Sequence, residues 1–197
     1  GDIDVLLGTQ MVAKGLNAPG LKLAAVLSAD TSMNLPDFRS AERTFALIMQ
    51  VAGRAGRFRP DGEVIVQTFR PDAVPVRMAA DGDMEGFYND EIEQRRILGF
   101  PPFSRLFRVV VKGADDSRVQ SAVNELAGRL AAGGSDWELM GPAECPIGRI
   151  SGQYRRHILL RSSSFDRTHS ALRTALLYLK LPNGVRIEAD VDPVSLL

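Results

Sequence analysis

Three side chains in the stretch Gln50–Arg57, Gln-Val-Ala-Gly-Arg-Ala-Gly-Arg, could meet a phosphate together. Gln50, Arg54 and Arg57 recur at offsets of four and three, so on a helix they form one stripe. Guanidinium groups are planar, permanently charged forks that match phosphate oxygens, and such arginines stabilise charge on a transferring phosphoryl group. Gly53 and Gly56 sit between them, although a glycine costs about 1 kcal/mol inside a helix. Glycine there admits a ligand or a second backbone at close range. The same residues also describe a helix end with C-cap glycines and solvated arginines, and both meanings stand at this point.

A second candidate lies in the hairpin Gly148-Arg149-Ile150-Ser151-Gly152-Gln153-Tyr154-Arg155-Arg156. Between Pro146 and Arg173 six arginines (149, 155, 156, 161, 167 and 173) face one acid, Asp166. With Tyr154 as a stacking face, this is a phosphate-backbone contact, a dock for an acidic peptide, or a solvated basic hairpin.

Other chemistry is excluded or unsupported. The lysines are Lys14, Lys22, Lys112 and Lys180, and none precedes Ser or Thr, so the chain contains no P-loop. His157 and His169 lack ligand-spaced partners and read as surface or strand residues. The single cysteine, Cys145, rules out an internal disulfide and a cysteine-based zinc site, suits a cytoplasmic protein and reads as a small buried residue. Asp190 and Asp192 share a strand face, but Pro193 follows and a strand-end turn explains them. Zero net charge argues against binding to nucleic acid through bulk charge alone, leaving local patches. No apolar run is long enough to span a membrane. A chain of 197 residues, 45% hydrophobic and 24% charged, has the composition of an ordinary globular protein of one large or two small domains. Opening on Gly1-Asp2 in an apparent strand, it reads as a piece of a longer protein.

The elements that must position these groups follow from periodicity. Ile3–Leu7 and Leu21–Leu27 are apolar runs of strand length, and Glu63–Phe69 alternates as a third strand. Together they suggest about half of an α/β domain with a parallel sheet covered on both faces. From Arg39 a helix carries Ala41, Phe45, Ile48 and Ala52 inward, with Asp37 or Ser40 as its N-cap. Met78–Leu98 reads as one acidic helix with Phe87, Ile92 and Leu98 on its apolar side, ending before Pro101-Pro102. Beyond it come strand Leu106–Val111, helix Ser117–Leu130, strand Trp137–Met140, strand Tyr154–Leu160, helix Phe165–Leu179 and strand Val185–Val191. That β-α-β-β-α-β order is the split βαβ of an α+β ferredoxin-like domain.

An ordered set of motifs now carries a resemblance. Gly8-Thr9-Gln10-Met11-Val12-Ala13-Lys14-Gly15, Ala29-Asp30, Asp37-Phe38-Arg39-Ser40-Ala41-Glu42-Arg43 and Gln50–Arg57 occur in sequence. Gly62-Glu63-Val64, Gln67-Thr68, Phe87-Tyr88, Pro101-Pro102-Phe103, Gly141-Pro142, Tyr154-Arg155 and Asp190-Val191-Asp192-Pro193 follow. The whole chain thereby resembles the PriA (primosomal protein N′) family of replication-restart helicases, in superfamily 2. The family usually has an aromatic where Ala18 stands and a histidine near Ala73-Val74.

The resemblance implies an α/β fold with three parts. Residues 1–76 would be the C-terminal part of a RecA-like helicase lobe, 77–103 a connector helix and Pro-rich turn, and 104–197 the C-terminal domain. Gly8, Thr9, Gln10, Lys14 and Gly15 would couple DNA to nucleotide state, with Gly53 beside them. Arg54 and Arg57 would reach the ATP γ-phosphate, helped by Gln50. ATP and Mg2+ would be gripped mainly by an absent lobe, and the family's zinc ions lie outside this chain. Arg149, Tyr154, Arg155, Arg156, Arg161 and Arg167 would contact DNA or partners. The implied partners are branched or single-stranded DNA, the tail of single-stranded DNA-binding protein and other primosome proteins, in a cytoplasmic, nucleoid-associated setting. Two functions compete: part of an ATP-dependent 3′–5′ DNA helicase, or a non-enzymatic DNA- and protein-binding primosome scaffold whose parent has lost its P-loop.

Overall fold

The computed structural model describes residues 4–9, 21–55, 62–134 and 136–197. The chain forms two compact units, Gly1–Ile92 and Glu93–Leu197.

In the first unit, strands β1 (Leu23–Val26) and β2 (Glu63–Val66) pair in parallel, Leu23 opposite Glu63 and Val26 opposite Val66. Helices α1 (Ala29–Met33) and α2 (Ser40–Ala55) connect them. The amphipathic pattern sets how α2 sits: Phe45 and Ile48 are buried with Val26, Ala29, Val76, Ala79 and Phe87. The Phe45 and Phe87 rings stack with centroids 4.0 Å apart. Buried Asp37 fixes the entry to α2, accepting the Arg39 N–H at 3.0 Å and pairing with Arg43 Nη2 at 3.0 Å.

Two expectations change here. Asp4–Thr9 form no strand, and Val5, Leu6 and Leu7 are exposed. Apolar composition alone does not make a strand; it needs a neighbour to complete its hydrogen bonds. The single helix expected over Met78–Leu98 is instead two, α3 (Val74–Asp81) and α4 (Met84–Leu98). Gly82 ends α3 in the left-handed conformation, φ 68°, donating to the Met78 and Ala79 carbonyls. Asp83 then restarts the chain by accepting the Gly86 N–H at 2.8 Å. Phe87 of α4 is buried as expected, whereas Leu98 is 53% exposed.

The second unit is built on β3 (Arg105–Gly113), α5 (Asp116–Ala132), β4 (Trp137–Ile150), β5 (Gln153–Ser162), α6 (Phe165–Leu177) and β6 (Val185–Val191). Its antiparallel sheet has the order β4-β5-β3-β6, the ferredoxin-like arrangement that the alternation of strands and helices predicts. Phe107, Val109 and Val111 of central β3 meet Val119, Val123, Leu126 and Leu130 of α5, and Leu172 of α6, in a closed core. Asp115 caps α5 through the Arg118 N–H at 3.2 Å.

Strand β4 runs well past the expected Met140. Its pairing with β5 shifts at Gly141-Pro142 and again before Arg149, then resumes to Ile150. Proline is tolerated because β4 is an edge strand and the interruption is a bulge. The hairpin closes through Ser151 (φ 50°) and Gly152 (φ 79°), two positive φ values of the kind a two-residue type I′ turn requires. On the sheet face away from the helices, buried Arg108 donates to the carbonyls of Ser195 (3.1 Å) and Leu197 (2.9 Å), fixing the last residues.

Candidate functional site

Part of the Gln50–Arg57 stripe lies among the described residues. Gln50 and Arg54 sit on the last two turns of α2, half-buried, while the opposite face of the helix is sealed in the core by Phe45 and Ile48. One helical turn separates them, so both project from the same side. Gly53 is exposed between them, and a Cβ placed there would meet nothing within 4 Å. Its missing side chain leaves open space beside Arg54. Close backbone approach falls instead at Gly62, where a Cβ would collide with the Ala55 carbonyl. Gly8 and Thr9 are exposed. Arg57, Gln10, Lys14 and Gly15 lie outside the described residues.

A second group at the carboxyl edge of the same sheet was not singled out from composition or spacing. Strands β1 and β2 end side by side, and their exits are tied together by Gln67 N–H to the Val26 carbonyl (2.9 Å) and Ala29 N–H to the Gln67 carbonyl (3.0 Å). Asp30, in α1, accepts the Phe69 N–H at 2.9 Å and Arg70 Nε at 3.4 Å. Arg70 Nη2 reaches Asn34 Oδ1 at 2.7 Å. The Phe69 N–H bond holds the Asp30 carboxyl below its ordinary range, with Thr68 and Arg70 adding to it against the cost of burial. In sequence, the trace of this brace is an aspartate four residues beyond a strand; its partners lie some 40 residues away.

The basic hairpin is more neutralised than its sequence suggests. Arg156 pairs with Asp116 at 2.8 Å, Arg161 binds Glu138 (Nε at 2.9 Å) and the Leu98 carbonyl, and Arg167 lies 3.3 Å from Asp136. Arg155 donates to the Ile147 carbonyl at 3.0 Å, and the Arg149 guanidinium lies 4.9 Å from the centre of the Tyr154 ring. The fold therefore gathers Arg149, Tyr154 and Arg155 at one end of the β4–β5 hairpin. Arg167 lies elsewhere, on the rim of an open groove of about 780 Å³ that also includes Arg129, Trp137, Thr174 and Tyr178.

Cys145 and His157 serve packing. Cys145 is buried with Arg108 Nη2 4.0 Å from its sulfur, and burial pushes its thiol up. Burial, with Arg108 and Arg155 nearby, pushes the His157 imidazole down, which keeps it neutral near pH 7. Among the described residues no group of three or more His, Cys, Asp or Glu side chains is placed to hold a metal. No described helix is long and apolar enough to cross a membrane. Asp192 is accounted for by structure: φ is 47°, its carboxylate accepts the Leu106 N–H at 3.0 Å, and it pairs with Arg105 at 2.6 Å.

Comparison with known proteins gives the family. Residues 96–194 match the family model described as the primosomal protein N C-terminal domain. Across its full length the chain is 47% identical to the replication restart protein PriA of Treponema pallidum and 37% identical to that of Bacillus subtilis. It is 33% identical to the PriA protein of Thermotoga maritima over 99% of its length. The chain spans 30%, 25% and 26% of these relatives, respectively.

Proposed function

Since this chain belongs to the PriA family, we propose that it is the C-terminal part of an ATP-dependent 3′–5′ DNA helicase that acts in replication restart. In this reading Arg54, with Arg57 beyond it, stabilises charge on the γ-phosphate while Gln50 positions that group. Such an arginine contributes about 10³–10⁵ in rate elsewhere. The observation that carries the reading is the pair Gln50 and Arg54 on one side of a helix whose other side is anchored in the core, next to the space left by Gly53. A rigid support of this kind lets a guanidinium act without first being ordered.

The chain contains no P-loop, and the described residues offer no metal-holding cluster. In this reading ATP and Mg2+ are gripped mainly by a part of the helicase that this chain, spanning 30% and 25% of two PriA relatives, does not include. Residues 104–197 are assigned to contacts with branched DNA and primosome proteins, and 77–103 to the connector between the two parts. Arg149, Tyr154 and Arg155 supply a charged, stackable hairpin end suited to a nucleic-acid backbone. The groove holding Arg129, Trp137, Arg167 and Tyr178 suits an acidic, aromatic-ended peptide, such as the tail of single-stranded DNA-binding protein.

Arg54→Ala in the full-length protein tests the catalytic part. DNA-stimulated ATP hydrolysis should fall by about 10³ or more with fork binding retained. Wild-type turnover in that variant would overturn the role given to Arg54, whereas no ATP hydrolysis by the unsubstituted full-length protein would leave the scaffold as the function.

A further inference from the structure

Among the described residues Phe69 is the most exposed large apolar side chain of the first unit. It is 92% exposed, against 85% for Val5, 81% for Leu7, 63% for Leu27 and 53% for Ile65. An exposed aromatic is commonly a mobile surface residue, but the backbone here is held from several directions. Asp30 takes the Phe69 N–H, Thr68 Oγ1 takes the Arg70 N–H at 3.0 Å, and Arg70 is clamped to Asp30 and Asn34. Gln67, two residues before the ring, is bonded to β1 and α1 through Val26 and Ala29. Ordering a loop this thoroughly costs conformational entropy, and the ring it presents buries nothing in return.

Placement supplies the second observation. In open parallel sheets, ligands bind outside the carboxyl ends of the strands, and Phe69 lies just past the end of β2, beside the exit of β1. Ser28 at that exit holds a left-handed conformation, φ 54°, that a non-glycine residue adopts rarely, and its hydroxyl lies 2.9 Å from that of Thr31. The chain around the ring is polar or charged: Gln67, Thr68, Arg70 and Asp72. A ring set among hydrogen-bonding groups and a half-exposed guanidinium suits a ligand with a flat apolar face and a charged backbone.

We propose that Phe69 is a stacking platform for an unpaired base of single-stranded DNA, with Arg70 beside the adjoining phosphate. Asp30 is the positioning residue that holds both. The proposal rests on the DNA-directed function above and adds the place where the first unit touches the strand. Stacking of this kind is tolerant of sequence, because every base has a π face, so the contact suits a protein that moves along DNA.

The test uses the 197-residue chain and an oligo(dT) of about 16 nucleotides, the upper end of common single-strand site sizes. Phe69→Ala should weaken binding about tenfold or more, the usual scale for loss of one aromatic–base stack, while Phe69→Trp keeps wild-type affinity. The new indole in Phe69→Trp should be quenched at saturating oligonucleotide, with the wild-type Trp137 signal as background. Wild-type affinity in Phe69→Ala, or unchanged emission from Phe69→Trp, overturns the proposal and leaves the wider DNA function standing. A lowered urea midpoint in Phe69→Ala with unchanged affinity means that the ring packs against protein, which also overturns it. Failure of the wild-type chain to bind oligo(dT) overturns this proposal together with DNA binding by the chain.

Discussion

Arg156 grips Asp116 with two nitrogens: Nη2 lies 2.8 and 3.0 Å from the two carboxylate oxygens, and Nε lies 3.1 Å from one of them. The pair fastens β5 to the first turn of α5, where a carboxylate also complements the helix dipole. A guanidinium committed in this way is structural before it is a ligand contact. Arg156→Ala should lower the stability of the second unit by about 0.5–1 kcal/mol, since both partners are partly solvated. It should change DNA affinity less than Arg149→Ala does. Urea titration and fluorescence anisotropy with a fork substrate measure the two effects.

Asp30 gives the first unit an acid-sensitive brace. Its folded pKa lies below the ordinary 3.8 because the Phe69 N–H stabilises the carboxylate. The contribution to stability is therefore full above that value and is lost as the pH falls through the lower, folded one. Asp30→Asn should flatten the acid limb of a plot of urea midpoint against pH, between about pH 5 and pH 2. Asp115 is lowered by the Ser117 hydroxyl and the Arg118 N–H, so its share of the acid response should remain in Asp30→Asn and disappear in Asp115→Asn.

The groove on the second unit makes a separable prediction. Arg167 is 72% exposed in its side chain and only loosely paired with Asp136 at 3.3 Å, so it can exchange partners at little cost. An acidic peptide ending in phenylalanine should bind the wild-type chain and lose about tenfold in affinity with Arg167→Ala, consistent with one charge-assisted contact of about 1.5 kcal/mol. Isothermal titration at two salt concentrations checks this. Binding to neither protein would leave the second unit as a nucleic-acid binder without this peptide partner.

Periodicity made the second unit legible. Val119, Val123, Leu126 and Leu130 recur at helical steps and all are buried, and the six elements follow in the expected order. Local punctuation was harder to weigh. Gly141-Pro142 resembles a strand end, yet β4 survives it as a bulge, whereas Gly82 inside an apparently continuous helix does break the chain. The balance of charge at the hairpin was hidden for another reason. The carboxylates that meet Arg156, Arg161 and Arg167 lie 40, 23 and 31 residues away, beyond any sequence window. The stripe of Gln50 and Arg54 was readable because it is local to one helix. The brace at Asp30 was not, because it depends on two parallel strands ending together.

The hold of Arg108 on the final residues has an evolutionary corollary. Its two acceptors are main-chain carbonyls, at Ser195 and Leu197, which every amino acid carries. Side chains at those two places are thus released from the task of docking, and the burden passes to one arginine in the middle of the sheet and to Leu196, which is buried. Lineages of this family should vary freely on either side of that leucine while keeping a guanidinium at the position of Arg108.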